Sequence, residues 1–395
     1  MNNIIELKEK AVKLAKDFSE TIENIDDFVF NHPELSEQEF VSSKFLVDQL
    51  IQFGFSVEYP YLGLPTAFKA SFGKDSDPAI AFLAEYDALP GYGENGAPAH
   101  ACGHNWIAAS TVGAAIVLSQ LKESAPGRIV VIGCPAEETV GSKVNLIEDG
   151  AFDGIDIAMQ IHLDALSLVQ VVCLAMDAWE FSFEGKSAHA ASCPYDGINA
   201  LDAVNLTFAG INALRQHVKS DVRIHGIVTN GGQAPNIVPD KASCRFYTRA
   251  LKRKYLDEVS EKVINCAKGA ALMTGAKLTI ERFENPFDDM NSNTHFNNIV
   301  KENFRAAHVE NLVEEDPYPA SSDVGNVSYV VPTAYSYIGD GLDFSVHESD
   351  FVAYANSRES KALLHKSVQV LISSAIDALQ PDNLQAIKEE FALSR

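Results

Sequence analysis

The segment 175–283 carries six elements that need no partner from elsewhere in the chain. An alternating run at 175–183 is followed by a helical stretch at 198–218 and strand-like runs at 223–229 and 241–249. A second helical stretch at 252–274 and a strand at 277–283 complete the set, and the turn-rich Asn230-Gly231-Gly232 separates the two middle strands. The order strand-helix-strand-strand-helix-strand is that of a ferredoxin-like α+β unit. Such a unit buries its own core. Residues 175–285 are therefore expected to form an inserted domain, and 1–174 and 286–395 to fold together around it.

Outside the insertion the pattern differs. Residues 5–26 have helical spacing. A second helix is expected at 36–53, opened by Ser36 with Glu39 three positions on, the pattern of a capping box. Short apolar runs at 55–59, 67–72, 80–85, 128–134 and 155–161 read as strands, and the small-residue stretch 102–122 as a helix among them. A last helix spans 360–379. Strands and helices alternating in this way give an α/β domain, a doubly wound sheet with helices on both faces.

Charge narrows the range of partners. Of 395 residues, 31 are Lys or Arg and 54 are Asp or Glu, a formal charge of −23. A surface this acidic excludes nucleic acid, whose phosphates need clustered cations, and anionic membranes for the same reason. No run approaches the roughly 20 apolar residues that cross a bilayer. Residues 1–24 alternate charged and apolar types and hold no apolar leader with a cleavage site. The six cysteines, Cys102, Cys134, Cys173, Cys193, Cys244 and Cys266, follow no paired pattern and read as reduced thiols. A cytoplasmic location is expected.

Four short clusters offer chemistry. His100-Ala101-Cys102-Gly103-His104 sets a thiol and an imidazole two positions apart at a helix start, a donor pair suited to zinc. Cys134-Pro135-Ala136-Glu137-Glu138 places adjacent carboxylates just past an apolar strand, where α/β folds hold their ligands. One of them can bind a metal while the other stays free to move a proton. His162 leaves another apolar strand, and His347 follows the Gly-rich Ile338-Gly339-Asp340-Gly341. Each has a plainer reading when taken alone: a buried thiol, a solvated helix start, a satisfied core histidine, a loop imidazole. Together they supply donors enough for two metal ions, and the adjacent Glu pair then has a use. A cysteine hydrolase built on Cys102 would leave the Glu pair and His347 idle. A non-catalytic protein binding a metal or small molecule on the same fold is the other alternative.

These clusters, with several further motifs, resemble the aminoacylase-type zinc peptidases, in particular their amidohydrolase branch. That branch includes hippurate hydrolase, indole-acetyl-amino-acid hydrolases and aminobenzoyl-glutamate hydrolase, with related dipeptidases nearby. The resemblance starts at Asn31-His32-Pro33-Glu34-Leu35-Ser36 and Glu85-Tyr86-Asp87-Ala88-Leu89-Pro90. It continues through Lys186-Ser187-Ala188-His189-Ala190-Ala191 and Ala234-Pro235-Asn236-Ile237-Val238-Pro239-Asp240 to His347.

What the resemblance implies is a doubly wound mixed-sheet metallopeptidase domain with an inserted ferredoxin-like dimerisation (lid) domain. The expected activity is hydrolysis of the amide bond in a dipeptide or N-acyl amino acid by a homodimer. Two divalent ions, zinc or else manganese, would be held by Cys102, His104, Glu138, His162 and His347, with Cys102 bridging. Glu137 would be the general base, and His189 would steady the oxyanion in the partner subunit's site. Asn236 and Arg249 would take the substrate carboxylate, and Asp87 would orient a ligand. The sequence departs from the family where Asn105 replaces the usual Asp, which is expected to remove a negative charge near the metals. It departs again where Ala320-Ser321-Ser322-Asp323 lacks the usual Glu.

Overall fold

In the computed structural model, which describes residues 2–394, the chain passes through three blocks of elements. The first holds α1 (Asn2–Asp17), α2 (Ser19–Phe30), α3 (Phe40–Gln52), β1 (Ser56–Glu58), β2 (Phe68–Phe72), β3 (Ala79–Ala84), α4 (His104–Ser119), β4 (Arg128–Gly133), α5 (Ser142–Glu148), β5 (Ile157–Leu163) and β6 (Ser167–Leu168). The second holds β7 (Ala175–Glu184), α6 (Ala200–Leu214), β8 (Arg223–Asn230), β9 (Lys241–Ala250), α7 (Arg253–Thr274) and β10 (Lys277–Arg282). The third holds α8 (Thr294–Ala306), β11 (Leu312–Val313), α9 (Val324–Val330), β12 (Thr333–Ile338), α10 (Ser349–Tyr354), α11 (Arg358–Ala378) and α12 (Pro381–Leu393). Two compact units result. One comprises the chain up to Val172, Met290–Pro319 and the chain from Asp323 onward; the other comprises Cys173–Asp289 with Ala320–Ser322.

The first unit is built on an eight-stranded mixed sheet in the order β1-β2-β4-β3-β5-β12-β6-β11. Its central strands β4, β3, β5 and β12 run parallel. β3 and β5 are buried at every residue and β4 at all but Arg128, which is why they read as unbroken apolar runs in the sequence. α4 packs on β3, β4 and β5, and α2 and α11 pack on α4. Every residue of α4 is buried. Its small residues permit that enclosure: a Cβ on Gly113 would lie 2.9 Å from Cγ1 of Ile22 on α2.

The helix expected last, at 360–379, is followed by α12, and three further local expectations change. The helix expected at 5–26 is two, broken at Phe18 (φ −98°, ψ 9°), whose ring meets Phe53 edge-on at 5.6 Å. The helical spacing persists across the break, so periodicity alone does not reveal it. The capping box at Ser36 and Glu39 does not form, because α3 starts at Phe40 and both side chains find partners in distant segments. The third is β12, a central strand between β5 and β6 that the pattern reading passed over; its Tyr335 and Tyr337 pair with Gln160 and His162.

The second unit has the order β10-β7-β9-β8, antiparallel throughout, with α6 and α7 packed on each other and on β7 and β9. This is the ferredoxin-like arrangement. Phe181, Phe183, Val204, Ile211, Phe246 and Val263 are part of its core. Among the described residues no helix is long and apolar enough to cross a membrane, and all six cysteines are free.

Candidate metal centre

Five places in the first unit deliver the site's side chains. β3 ends at Ala84, and Glu85 and Asp87 follow at its carboxyl end. Gly103, at φ +79°, turns the chain into α4, so Cys102 stands just before the helix and His104 in its first position. Glu137 and Glu138 lie in the turn after β4, and His162 sits near the end of β5. His347 comes from the third block. Its backbone N–H donates to Ala101 O at 2.8 Å, and its own carbonyl accepts from Tyr92 Oη at 2.7 Å. Its φ is +66°.

The side chains meet in overlapping groups. Donor atoms of Cys102, His104 and His162 lie within 4.8 Å of one another, and so do those of Cys102, Glu138 and His347. Cys102 belongs to both sets. His104, Glu137 and Glu138 form a third. Cys102 Sγ is 3.6 Å from His162 Nε2, and His347 Nε2 is 3.0 Å from Glu138 Oε1. His347 remains 47% exposed, yet it is not the free loop imidazole of the plainer reading.

The donor set fits a cation. His162 donates Nδ1–H to Leu163 O at 2.6 Å, and His104 donates Nδ1–H to Asp87 Oδ1 at 2.8 Å. Carbonyl and carboxylate oxygens only accept, so each ring offers Nε2 to the cluster. His104 Nε2 is buried with no hydrogen-bond partner, an orphan that coordination would satisfy. Burial lowers His162 to a pKa of about 4 and keeps its ring neutral. Burial, then the Glu138 carboxylate, pushes the Cys102 thiol well up.

Asp87 ties the site together. Beyond His104, its Oδ2 accepts from Ser36 Oγ at 2.8 Å and from the Glu138 backbone N–H at 3.1 Å. Burial opposes its charge, but His104 and the hydrogen bonds from the Glu138 N–H and Ser36 together outweigh burial and hold the carboxyl at about 2. Asn105 points elsewhere: its Nδ2 donates to Asp26 Oδ1 at 2.6 Å and to Ala355 O at 3.1 Å. The departure from Asp at this position therefore spares Asp26 a facing carboxylate, where the sequence reading placed its effect at the metals.

Glu137 faces a second polar cluster, with carboxylate atoms of Glu85, Glu137 and Asp323 within 4.8 Å of one another. Lys143 Nζ bridges Glu85 at 2.5 Å and Asp323 at 2.6 Å, and all three of these side chains are buried. An ammonium already lies between two of the carboxylates, so this group is an ion-pair cluster. Burial, with Glu85 and Asp323 close by, raises the proton affinity of Glu137. Sequence reasoning missed this cluster. Glu85 carried a signal, an acid directly after a buried strand; Lys143, 58 residues away, carried none.

The remaining residues singled out in the sequence belong to the second unit. Its chain brings the His189 and Asn236 motifs side by side, with Ala190 N–H donating to Asn236 O at 3.0 Å. His189 is exposed, and its Nδ1 accepts from the backbone N–H groups of Ala191 and Ser192 at 3.2 and 3.1 Å, which leaves the ring proton on Nε2. Arg249 is not a plain surface charge. Its Nη1 donates to Ser321 Oγ at 3.1 Å, and its Nε is buried without a partner.

Comparison with known proteins gives three kinds of likeness. The model of peptidase family M20/M25/M40 matches residues 81–369. The Xaa-Arg dipeptidase of Mus musculus is 32% identical over 98% of this chain and 92% of its own length. A p-aminobenzoyl-glutamate hydrolase polypeptide from Escherichia coli is 36% identical over 66% of this chain and 57% of its own. Among solved structures, the YXEP protein of Bacillus subtilis, described as a dinuclear metal binding peptidase, superposes with a TM-score of 0.66. It is 22% identical and the match covers 90% of this chain and 99% of that one.

Proposed function

The chain belongs to the peptidase family M20/M25/M40 and is a metal-dependent amide hydrolase, and on that premise we propose how its residues divide the work. Cys102, His104, Glu138, His162 and His347 hold two divalent cations. The observation that carries this reading is the pair of three-residue donor sets that share the Cys102 sulfur. When bound, the ions polarise a carbonyl and bring the pKa of water toward neutrality. Zinc suits a thiolate better than manganese does.

Glu137 does the proton work. As water attacks the amide carbon, Glu137 takes its proton at a carboxylate oxygen; as the C–N bond breaks, the same proton passes to the departing nitrogen. A carboxylate oxygen of Glu137 lies within 4.8 Å of donor atoms of His104 and Glu138, so Glu137 can hold the proton beside the site between the two events. His189 Nε2–H supplies a donor to the developing oxyanion, and Asn236 and Arg249 supply donors to the substrate carboxylate. The substrate is a small dipeptide or N-acyl amino acid, the class that the names of the relatives describe.

The working form is a homodimer. β8 is an edge strand paired on one side only, and it presents Ile227, 65% exposed, and Val228, 47% exposed. Second copies docking through this unit would let His189 serve a neighbouring site. The six free thiols suit a reducing compartment, the cytoplasm.

A panel of dipeptides and N-acyl amino acids, read by mass spectrometry before and after chelation, tests the whole assignment. Turnover lost on chelation and restored by zinc or manganese is expected. Absence of turnover across the panel with metal restored would instead favour a non-catalytic binding protein.

A further inference from the structure

The turn that carries Glu137 and Glu138 is held from behind by a carboxylate outside it. Glu39 is fully buried just before α3 and accepts three hydrogen bonds. Its Oε1 takes the backbone N–H of Ala136 at 2.8 Å and of Glu37 at 2.9 Å; its Oε2 takes Thr66 Oγ1 at 2.9 Å. The two amides share more than an oxygen. Ala136 has φ +56° and Glu37 φ +65°, the left-handed region that residues with a side chain rarely enter unless neighbours hold them there. One carboxylate oxygen thus secures two unfavourable backbone conformations, and the first immediately precedes Glu137.

The same short segment reaches the turn by a second route. Ser36 Oγ and the Glu138 backbone N–H both donate to Asp87 Oδ2, at 2.8 and 3.1 Å. Residues 36–39 therefore grip the turn at Ala136 directly and at Glu138 through Asp87. Within the turn, Gly141 N–H closes back onto Ala136 O at 3.0 Å, and Ser142 Oγ bonds Pro135 O.

We infer that Glu39 is a positioning residue of the hydrolytic site, whose Oε1 locks Ala136 in the left-handed conformation that aims the Glu137 carboxylate. The inference rests on the reading of Glu137 as the general base. Glu39 hydrogen-bonds Glu37, Thr66 and Ala136 and none of the metal donors, so its effect falls on kcat and leaves the cations in place.

The test compares Glu39→Gln, Glu39→Met and Glu39→Met with Ala136→Gly. Gln keeps an oxygen for both amides, Met removes the acceptor at similar volume, and glycine adopts positive φ without penalty. Expected are a kcat within threefold of wild type for Glu39→Gln and a loss of at least tenfold for Glu39→Met. KM and bound metal should change less than twofold. Adding Ala136→Gly should return most of the lost kcat. In the metal-free chain, the melting temperature should fall in Glu39→Met and recover in part with Ala136→Gly.

A wild-type kcat in Glu39→Met, no relief from Ala136→Gly in a folded double variant, or a Glu39→Gln as poor as Glu39→Met would each overturn the inference. Should Glu39→Met not fold, the double variant and Glu39→Gln still decide. Glu137→Gln is assayed alongside. If it keeps full kcat, the reading of the base fails independently of Glu39; if it loses kcat while Glu39→Met does not, only the present inference fails.

Discussion

Nδ1 of the buried His104 ring stands 2.8 Å from Oδ1 of the buried Asp87, and the other oxygen of that carboxylate holds the Glu138 backbone N–H at 3.1 Å. One acid therefore orients an imidazole donor and the turn that bears a carboxylate donor. Asp87→Ala is expected to weaken metal binding about 10- to 100-fold, the usual effect of losing an outer carboxylate. Competition titration against a chromogenic chelator measures this, and an affinity equal to wild type would remove Asp87 from the support of the site.

Glu137→Gln should lower kcat by about 10²- to 10⁴-fold, the range for losing a positioned acid–base group. Metal content, measured by elemental analysis, should stay at the wild-type value. Loss of metal with Glu137→Gln, and its retention with Glu138→Gln, would mean that the two roles are exchanged.

Lys143→Met would leave Glu85 and Asp323 buried with no cation between them. Breaking a buried ion cluster from one side costs about 3–5 kcal/mol. A shift of that size in the urea unfolding free energy is expected at neutral pH. A shift under about 1 kcal/mol, the scale of a solvated pair, would show that the two carboxylates share a proton or reach water in the folded chain.

Asp26 gives a pH dependence whose sign follows from burial. Burial, opposed by the hydrogen bond from Asn105, raises its pKa from 3.8 to about 7. Below pH 3.8 both folded and unfolded chains hold the proton, so it contributes nothing. Between pH 3.8 and about 7 the unfolded chain releases it first, and stability falls as pH rises. Above about pH 7 the penalty is constant. Asp26→Asn should remove this term. The stability of the variant relative to wild type should climb from about pH 4 to 7 and then level off, in urea midpoints taken across that range. A flat difference would show that Asp26 is ionised in the folded chain throughout.

His189→Ala should impair turnover without loss of metal. If the site is shared between subunits, mixing inactive His189→Ala and inactive Glu137→Ala chains should regenerate activity as mixed dimers form. Mixed dimers, verified by mass, that remain inactive would place each site within one subunit.

Donor residues were legible in the sequence because their types are few and their places follow strand ends. Cys102, His104, Glu138 and His162 each lie beside an apolar run that could be recognised alone. His347, past the Gly-rich 338–341, was a candidate on weaker grounds, an imidazole in a loop, and the resemblance supplied its role. Ser36 and Glu39 show the limit from the other side. Their spacing matches a helix cap, but Asp87 and Ala136, 51 and 97 residues further on, claim both side chains. Lys143 was invisible for a similar reason: a lysine near a helix start reads as solvated until Glu85 and Asp323 are seen to enclose it. Local pattern reports what a residue can do nearby, and burial among distant carboxylates lies outside its reach.

α4 is enclosed by neighbours along its whole length, and His104 is its first residue. A rod gripped on every side cannot absorb a disturbance by leaning toward water. Enlarging or trimming Val117, about 20 Å along the axis from His104 at 1.5 Å per residue, should thus be transmitted as a small displacement of the imidazole. For this helix, remoteness from the chemistry gives no immunity from it.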